Sequence, residues 1–178
     1  MASNIFQIKE LTMEERLKTK CTHLAEVDSD YLKTLAGATA TLQLFPYQAR
    51  DIIDFALLDL VTPFAGAGLT AFKANLGYNN ATLTDRADAF LFNLELSASP
   101  VLADAGSADP AVLDSTYGAQ ELAVLDTLRA RRPFAAQESG NLELVLAATG
   151  ANLSALTAGR VRVFFNVIRL AGLRPINL

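Results

Sequence analysis

The chain has 178 residues, 51% hydrophobic and 19% charged, with a net charge of −4, one Cys, one His and no Trp. That length suits one domain burying roughly 70% of its unfolded surface, and the lone Cys21 excludes an intrachain disulfide or a thiolate metal site and is compatible with a reducing compartment. The negative balance argues against binding nucleic acid through phosphate neutralisation, and Asp51, Asp54 and Asp59 break the most apolar run before the ~18 residues a membrane span needs.

Residues 1–34 read as an N-terminal arm. Met1–Glu10 has no apolar core followed by a small-residue cleavage site, so no signal peptide is expected. Thr12 stands three before Glu15, the spacing of a capping box, and predicts a short helix that ends near Thr22. Two readings of this arm stay open: a surface helix on the main domain, or an extension that orders on a neighbouring chain.

From residue 35 to 178 the pattern is that of strands. Ala38–Phe45 alternates small or polar with apolar residues and meets Pro46, a strand end. Ile52–Val61 fits a strand or a helix, ended by Pro63 and the pair Gly66 and Gly68. Leu69–Leu76 alternates with Thr70, Phe72, Ala74 and Leu76 on the core face, before a turn at Gly77, Asn79 and Asn80. Asp88–Leu96 points Phe90, Phe92, Leu94 and Leu96 inward, with Leu91 out of pattern on the other face. Ser97–Pro110 is a loop, and Tyr117–Arg132 suits a helix or a strand.

The last third predicts a hairpin. Leu142, Leu144 and Leu146 share one face, and Val161, Val163, Phe165 and Val167 share another. Behind the second set lie Arg160, Arg162, Phe164, Asn166, Ile168 and Leu170. That mixture is too apolar for free solvent and too polar for a sealed interior, which makes Arg162, Phe164, Asn166, Ile168 and Leu170 the candidate interface. About six to eight strands at these intervals predict a mainly β protein, an antiparallel β-sandwich or jelly roll, carrying the arm at its start.

Chemistry-bearing groups are sparse. Cys21 and His23 are two residues apart, a spacing that separates side chains on a helix and joins them on one face of a strand, with no third group to orient them. Asp51, Asp54 and Asp59 read as turn residues rather than glycosidase carboxylates, since a sugar cleft wants aromatic platforms. Asn79, Asn80, Asp85 and Asp88 offer oxygen ligands of the kind calcium takes, without the spacing of an EF-hand. Gly66 and Gly68 lack the partners of a phosphate loop, and Arg129, Arg131 and Arg132 read as a helix end. No catalytic residue, cofactor or metal is expected, and the chain reads as a non-enzyme.

From Ala38 onward, the runs Ala40–Pro46, Leu69–Gly77 leading into Asp85–Leu91, and Thr157–Val163 resemble small virion structural proteins of tailed bacteriophages, in particular capsid cement or decoration proteins. Residues 1–34 and 110–135 depart from that pattern. The resemblance implies a β-sandwich on the outer capsid surface of the virion, assembled in the host cytoplasm. It further implies a homotrimer whose partners are the major capsid protein and copies of itself, with no role for nucleic acid or membrane. A tail or neck component is the alternative in the same setting, and a carbohydrate-binding jelly roll or a glycan hydrolase the alternatives outside it. The low charged share, below the usual ~25%, agrees with surface hidden in an assembly.

Overall fold

The computed structural model describes residues 6–19, 21–80, 86–97, 102–104, 134–135 and 139–169. Its elements in chain order are β1 (Phe6–Glu10), α1 (Met13–Thr19), β2 (His23–Asp28), α2 (Ser29–Leu32), β3 (Thr39–Tyr47), β4 (Ile52–Gly66), β5 (Ala71–Asn80), β6 (Arg86–Glu95), β7 (Leu102–Asp104), β8 (Phe134–Ala135), β9 (Gly140–Thr149) and β10 (Leu156–Ile168). The first sheet runs β1-β2-β10-β4-β7, with β8 also on β4, and the second runs β3-β9-β5-β6. All pairings are antiparallel, and the two sheets form the mainly β sandwich that the alternation predicts.

The expected hairpin is not one. β9 bonds to β3 and β5 in the second sheet, whereas β10 bonds to β2 and β4 in the first. The chain changes sheet through a corner at Gly150, which takes a φ of +83°, and a 3-10 turn at Leu153–Ala155. Leu142, Leu144 and Leu146 therefore share one core with Val161, Val163 and Phe165, from opposite sheets. Alternation reports that one face is buried. It is silent on whether the covering strand is a ladder neighbour or a member of the other sheet.

One bulge carries a strand past its expected end, and a second turns a strand's face over. Arg160 pairs with Thr62 and Ala158 with Ala65, so Pro63 and Phe64 oppose Gly159 alone. Pro63's missing N–H thus falls within a bulge, and β4 continues to Gly66. Gly159 takes a φ of +141°, and a Cβ there would lie 2.0 Å from Cδ1 of the buried Phe64 ring, so only glycine fits beneath that ring. Phe64 in turn stacks on Phe72 of the other sheet, with centroids 4.3 Å apart.

In β6, Leu94 pairs with Ala74 and Leu91 with Leu76, leaving Phe92 and Asn93 opposite Asn75. Asn93 adopts a φ of +55° and its N–H donates to Asn75 Oδ1 at 2.5 Å. The extra residue reverses the facing of the strand, and Leu91, out of pattern in the sequence, joins the core. β5 passes the expected turn at Gly77 and continues to Asn80. β3 runs past Pro46 to Tyr47, as an edge strand permits.

The capping box is present. Thr12 N–H donates to Glu15 Oε2 at 2.9 Å, and Glu15 N–H reaches back to Thr12 Oγ1 at 3.4 Å. The boundary drawn at residue 34, however, cuts through the sandwich: β2 lies between β1 and β10 in the first sheet. Its sequence alternates His23, Ala25 and Val27 against Leu24, Glu26 and Asp28, and Ala25 and Val27 belong to the main core. Tyr117–Arg132, with Arg129, Arg131 and Arg132, and Leu170 lie outside the described residues.

Candidate interaction surface

The outer face of the first sheet is built row by row by the register of β1, β2, β10 and β4. One row reads Asp28, Arg160, Thr62, the next Gln7, Glu26, Arg162, Asp59, and a third Lys9, Leu24, Phe164. Strand β10 supplies the centre of each, because its side chains alternate without interruption from Arg160 to Asn166.

Glu26 organises the charged rows. Although it points away from the core, it is only 5% exposed, covered by the two arginines beside it. Arg160 bonds its carboxylate through both Nε and a terminal nitrogen, and Arg162 Nε lies 3.4 Å from the second oxygen. The Arg162 contact is an ion pair without hydrogen-bond geometry, since that Nε is buried and unbonded. Arg160 and Arg162 meet Glu26 and Asp59 across these rows, so the patch is densely charged without a net positive sign. Asp28, the end residue of the neighbouring row, is used elsewhere: its carboxylate caps α2 by accepting from Tyr31 N–H at 2.8 Å.

Phe164 is covered by the chain itself. It packs against Leu11, Cys21 and Leu24, a small cluster separate from the main core. β1 and the segment after it are held there by Leu11 N–H donating to Thr22 O at 2.7 Å, by Arg16 Nε donating to Leu11 O at 2.8 Å, and by ion pairs from Lys9 to Glu15 and from Arg16 to Glu10. The Lys9 ammonium beside Glu15, with the Thr12 backbone and hydroxyl groups, lowers that carboxyl to about 2. Burial pushes the Cys21 thiol up to about 11.

Of the five expected interface residues, Arg162 is committed to Glu26 and Phe164 to the residue 11–24 segment. Asn166 is half-buried and Ile168 is 42% exposed. Met13, at the start of α1, is 75% exposed. Glu26, Leu11 and Leu24 were not expected here; the alternation of His23–Asp28 is the signal that reveals a strand with an outer face.

Cys21 and His23 are not brought together as a reactive pair. Cys21 joins the outer cluster, while His23 faces inward, stacked on Phe165 at 5.2 Å and edge-on to Phe45 at 4.7 Å. The Thr22 hydroxyl lies 2.7 Å from His23 Nδ1. Burial lowers the His23 pKa, opposed by Glu10 and aided by Arg16 and Arg169. Arg169 itself lies over the Phe45 ring, 5.2 Å from its centroid.

The acidic trio is dispersed. Asp51 is a turn residue, buried, accepting from Gln48 N–H at 2.9 Å, with Oδ1 unpartnered. Asp59 stands opposite Arg162 on the outer face, and the Asp54 side chain lies outside the described part. Asn79 donates to the buried Glu143 at 2.6 Å, while Asp85 and the side chains of Asn80 and Asp88 are likewise outside it. Among the described residues no group of three or more His, Cys, Asp or Glu could hold a metal ion, and no helix is long and apolar enough to cross a membrane. Gly66 and Gly68 flank the β4–β5 turn, Gly68 with a φ of +77°.

No family model matches this sequence, and no curated protein or solved structure matches it.

Proposed function

We propose that this chain is a non-enzymatic structural protein of a bacteriophage virion, a capsid cement or decoration protein that binds the capsid lattice as a homotrimer. The reading rests on the resemblance of the strand and turn runs to such proteins. The observation that carries it is the outer face of β10, where the charged rows around Arg160 and Arg162 continue into Phe164, Asn166 and the exposed Ile168. A face that joins apolar contact to directed charge is what a specific protein interface needs at its centre and rim. The latch over Phe164 leaves Asn166 and Ile168 as the contact residues, with Arg160 and Arg162 at the edge.

Multi-angle light scattering of the full chain, followed by co-sedimentation with capsids built from the major capsid protein of the same genome, tests this. A trimer that sediments with capsids is expected, and Ile168→Asp abolishes the association while leaving the circular dichroism spectrum unchanged. A monomer that leaves capsids in the pellet alone overturns the reading.

A further inference from the structure

The one histidine of the chain stands at the start of β2, where the α1 segment joins the first sheet. Thr22, just before it, carries the pairing with β10 one step further: its N–H donates to Phe165 O at 3.1 Å, and its hydroxyl oxygen accepts from Val167 N–H at 3.0 Å. The hydroxyl proton then has two acceptors in reach, His23 Nδ1 at 2.7 Å and Phe165 O at 3.4 Å. The shorter contact assigns it to Nδ1, which makes His23 the neutral tautomer with its own proton on Nε2.

Among the described residues, three charged groups act on the ring. Glu10 stands opposite His23 across the β1–β2 ladder, Arg16 reaches from α1, and Arg169 follows β10. Phe45 of β3 and Phe165 of β10 enclose the ring and bring no charge. Arg16 binds the Glu10 carboxylate through a terminal nitrogen and Leu11 O through Nε at 2.8 Å, so one guanidinium pins α1 to the end of β1. Arg169 is held over the Phe45 ring. With His23 neutral, one carboxylate serves two cations; a proton on His23 makes three. The imidazolium, as the ladder neighbour of Glu10, then competes with Arg16 for its carboxylate. The Thr22 hydroxyl, now accepting from Nδ1–H, is left with the 3.4 Å contact for its own proton.

We propose that His23 is a proton-operated catch on the α1 segment: protonation draws Glu10 from Arg16 to His23, frees α1 from the end of β1, and lifts Leu11 and Cys21 from Phe164 and Leu24. Burial and the two arginines favour the neutral ring while the segment is closed, so the closed form takes a proton less readily than the open one. Opening is therefore favoured as the pH falls below about 6.5, by at most about tenfold per pH unit, the limit for one proton. The second ion pair of the segment does not respond in this range, because the Glu15 carboxyl, lowered to about 2, stays ionised beside Lys9. The catch operates within the chain, whatever the outer face of β10 binds.

NMR on the full chain between pH 8 and pH 5 reads both halves of the catch. With a single histidine in the chain, the ring C–H titration belongs to His23 alone, and the methyl groups of Leu11 and Leu24 report their packing on the Phe164 ring. The Leu11 and Leu24 methyls are expected to lose their ring-induced shifts with the His23 midpoint, below about 6.5, while those of Leu58 and Leu144 in the main core stay fixed. Glu10→Gln brings the Leu11 methyls to their low-pH position already at pH 8, and His23→Gln holds them at their high-pH position down to pH 5. Four results overturn the proposal: titration of His23 with Leu11 and Leu24 unmoved; Leu11 unmoved by Glu10→Gln; the same pH response in His23→Gln, which assigns the opening to carboxylates; and core methyls moving together with Leu11, which means acid unfolding of the whole domain.

Discussion

The two faces of β10 are made of one strand, yet they behave as different materials. Inward, Val161, Val163, Phe165 and Val167 are buried in the main core; outward, Arg160, Arg162, Phe164 and Asn166 are each half-buried. The inward face is sealed by a second sheet, whose position is set by every strand of the sandwich. The outward face is covered in patches by arginines over Glu26 and by a single segment over Phe164. A face closed by one segment can reopen without unfolding the domain, because local opening costs less than global unfolding.

Substitutions separate the two faces. The largest effect is expected from Phe165→Asp, which puts an unpaired charge in the core and costs at least about 4 kcal/mol; loss of a cooperative urea transition is the readout. Gly159→Ala follows, at roughly 2–5 kcal/mol, since its Cβ meets the Phe64 ring and the backbone is held at a φ of +141°. A midpoint shift below about 1 kcal/mol would mean that the bulge opposite Pro63 relaxes freely.

Phe164→Asp sits between the two regimes. It is expected to keep the cooperative transition but to loosen the residue 11–24 segment, so that Cys21 is alkylated faster at pH 8 than in the unsubstituted protein, where burial holds its thiol near 11. If Phe164→Asp and Phe165→Asp unfold the protein alike, the contrast between the faces fails.

The smallest expected effect concerns pH. Desolvation lowers the folded-state pKa of His23 below its ordinary value of about 6.5, so the unfolded chain takes up the proton first. The stability that neutral His23 contributes is therefore complete above about pH 6.5 and is lost as the pH falls below it. Urea midpoints at pH 8 and pH 5.5 measure the difference, which shrinks in His23→Leu. An equal pH dependence in that variant would assign the effect to carboxylates instead.

Much of the fold was legible from local pattern. Ala38–Phe45, Leu69–Leu76 and the two alternating runs near the C-terminal end hold strands with nearly all the expected residues inward, Thr70 before β5 being the exposed exception, because period-two burial is a property of each segment alone. The capping box was legible for the same reason, its two partners being three residues apart. Pro63 and Gly77 misled as strand ends, since a bulge in one case and an unbroken ladder in the other depend on the partner strand's register.

The sequence by itself determined the inward faces of β3, β9 and β10 and that β10 would carry an ambiguous outer face. Only the tertiary structure decided that β9 and β10 belong to different sheets, that residues 23–28 are a central strand rather than part of an arm, and that Phe164 is covered from within the chain. The physical reason is one of range. Alternation, capping and turn chemistry are encoded between near neighbours, whereas strand pairing joins residues such as Arg160 and Glu26, 134 positions apart, whose meeting depends on the closure of the whole sandwich.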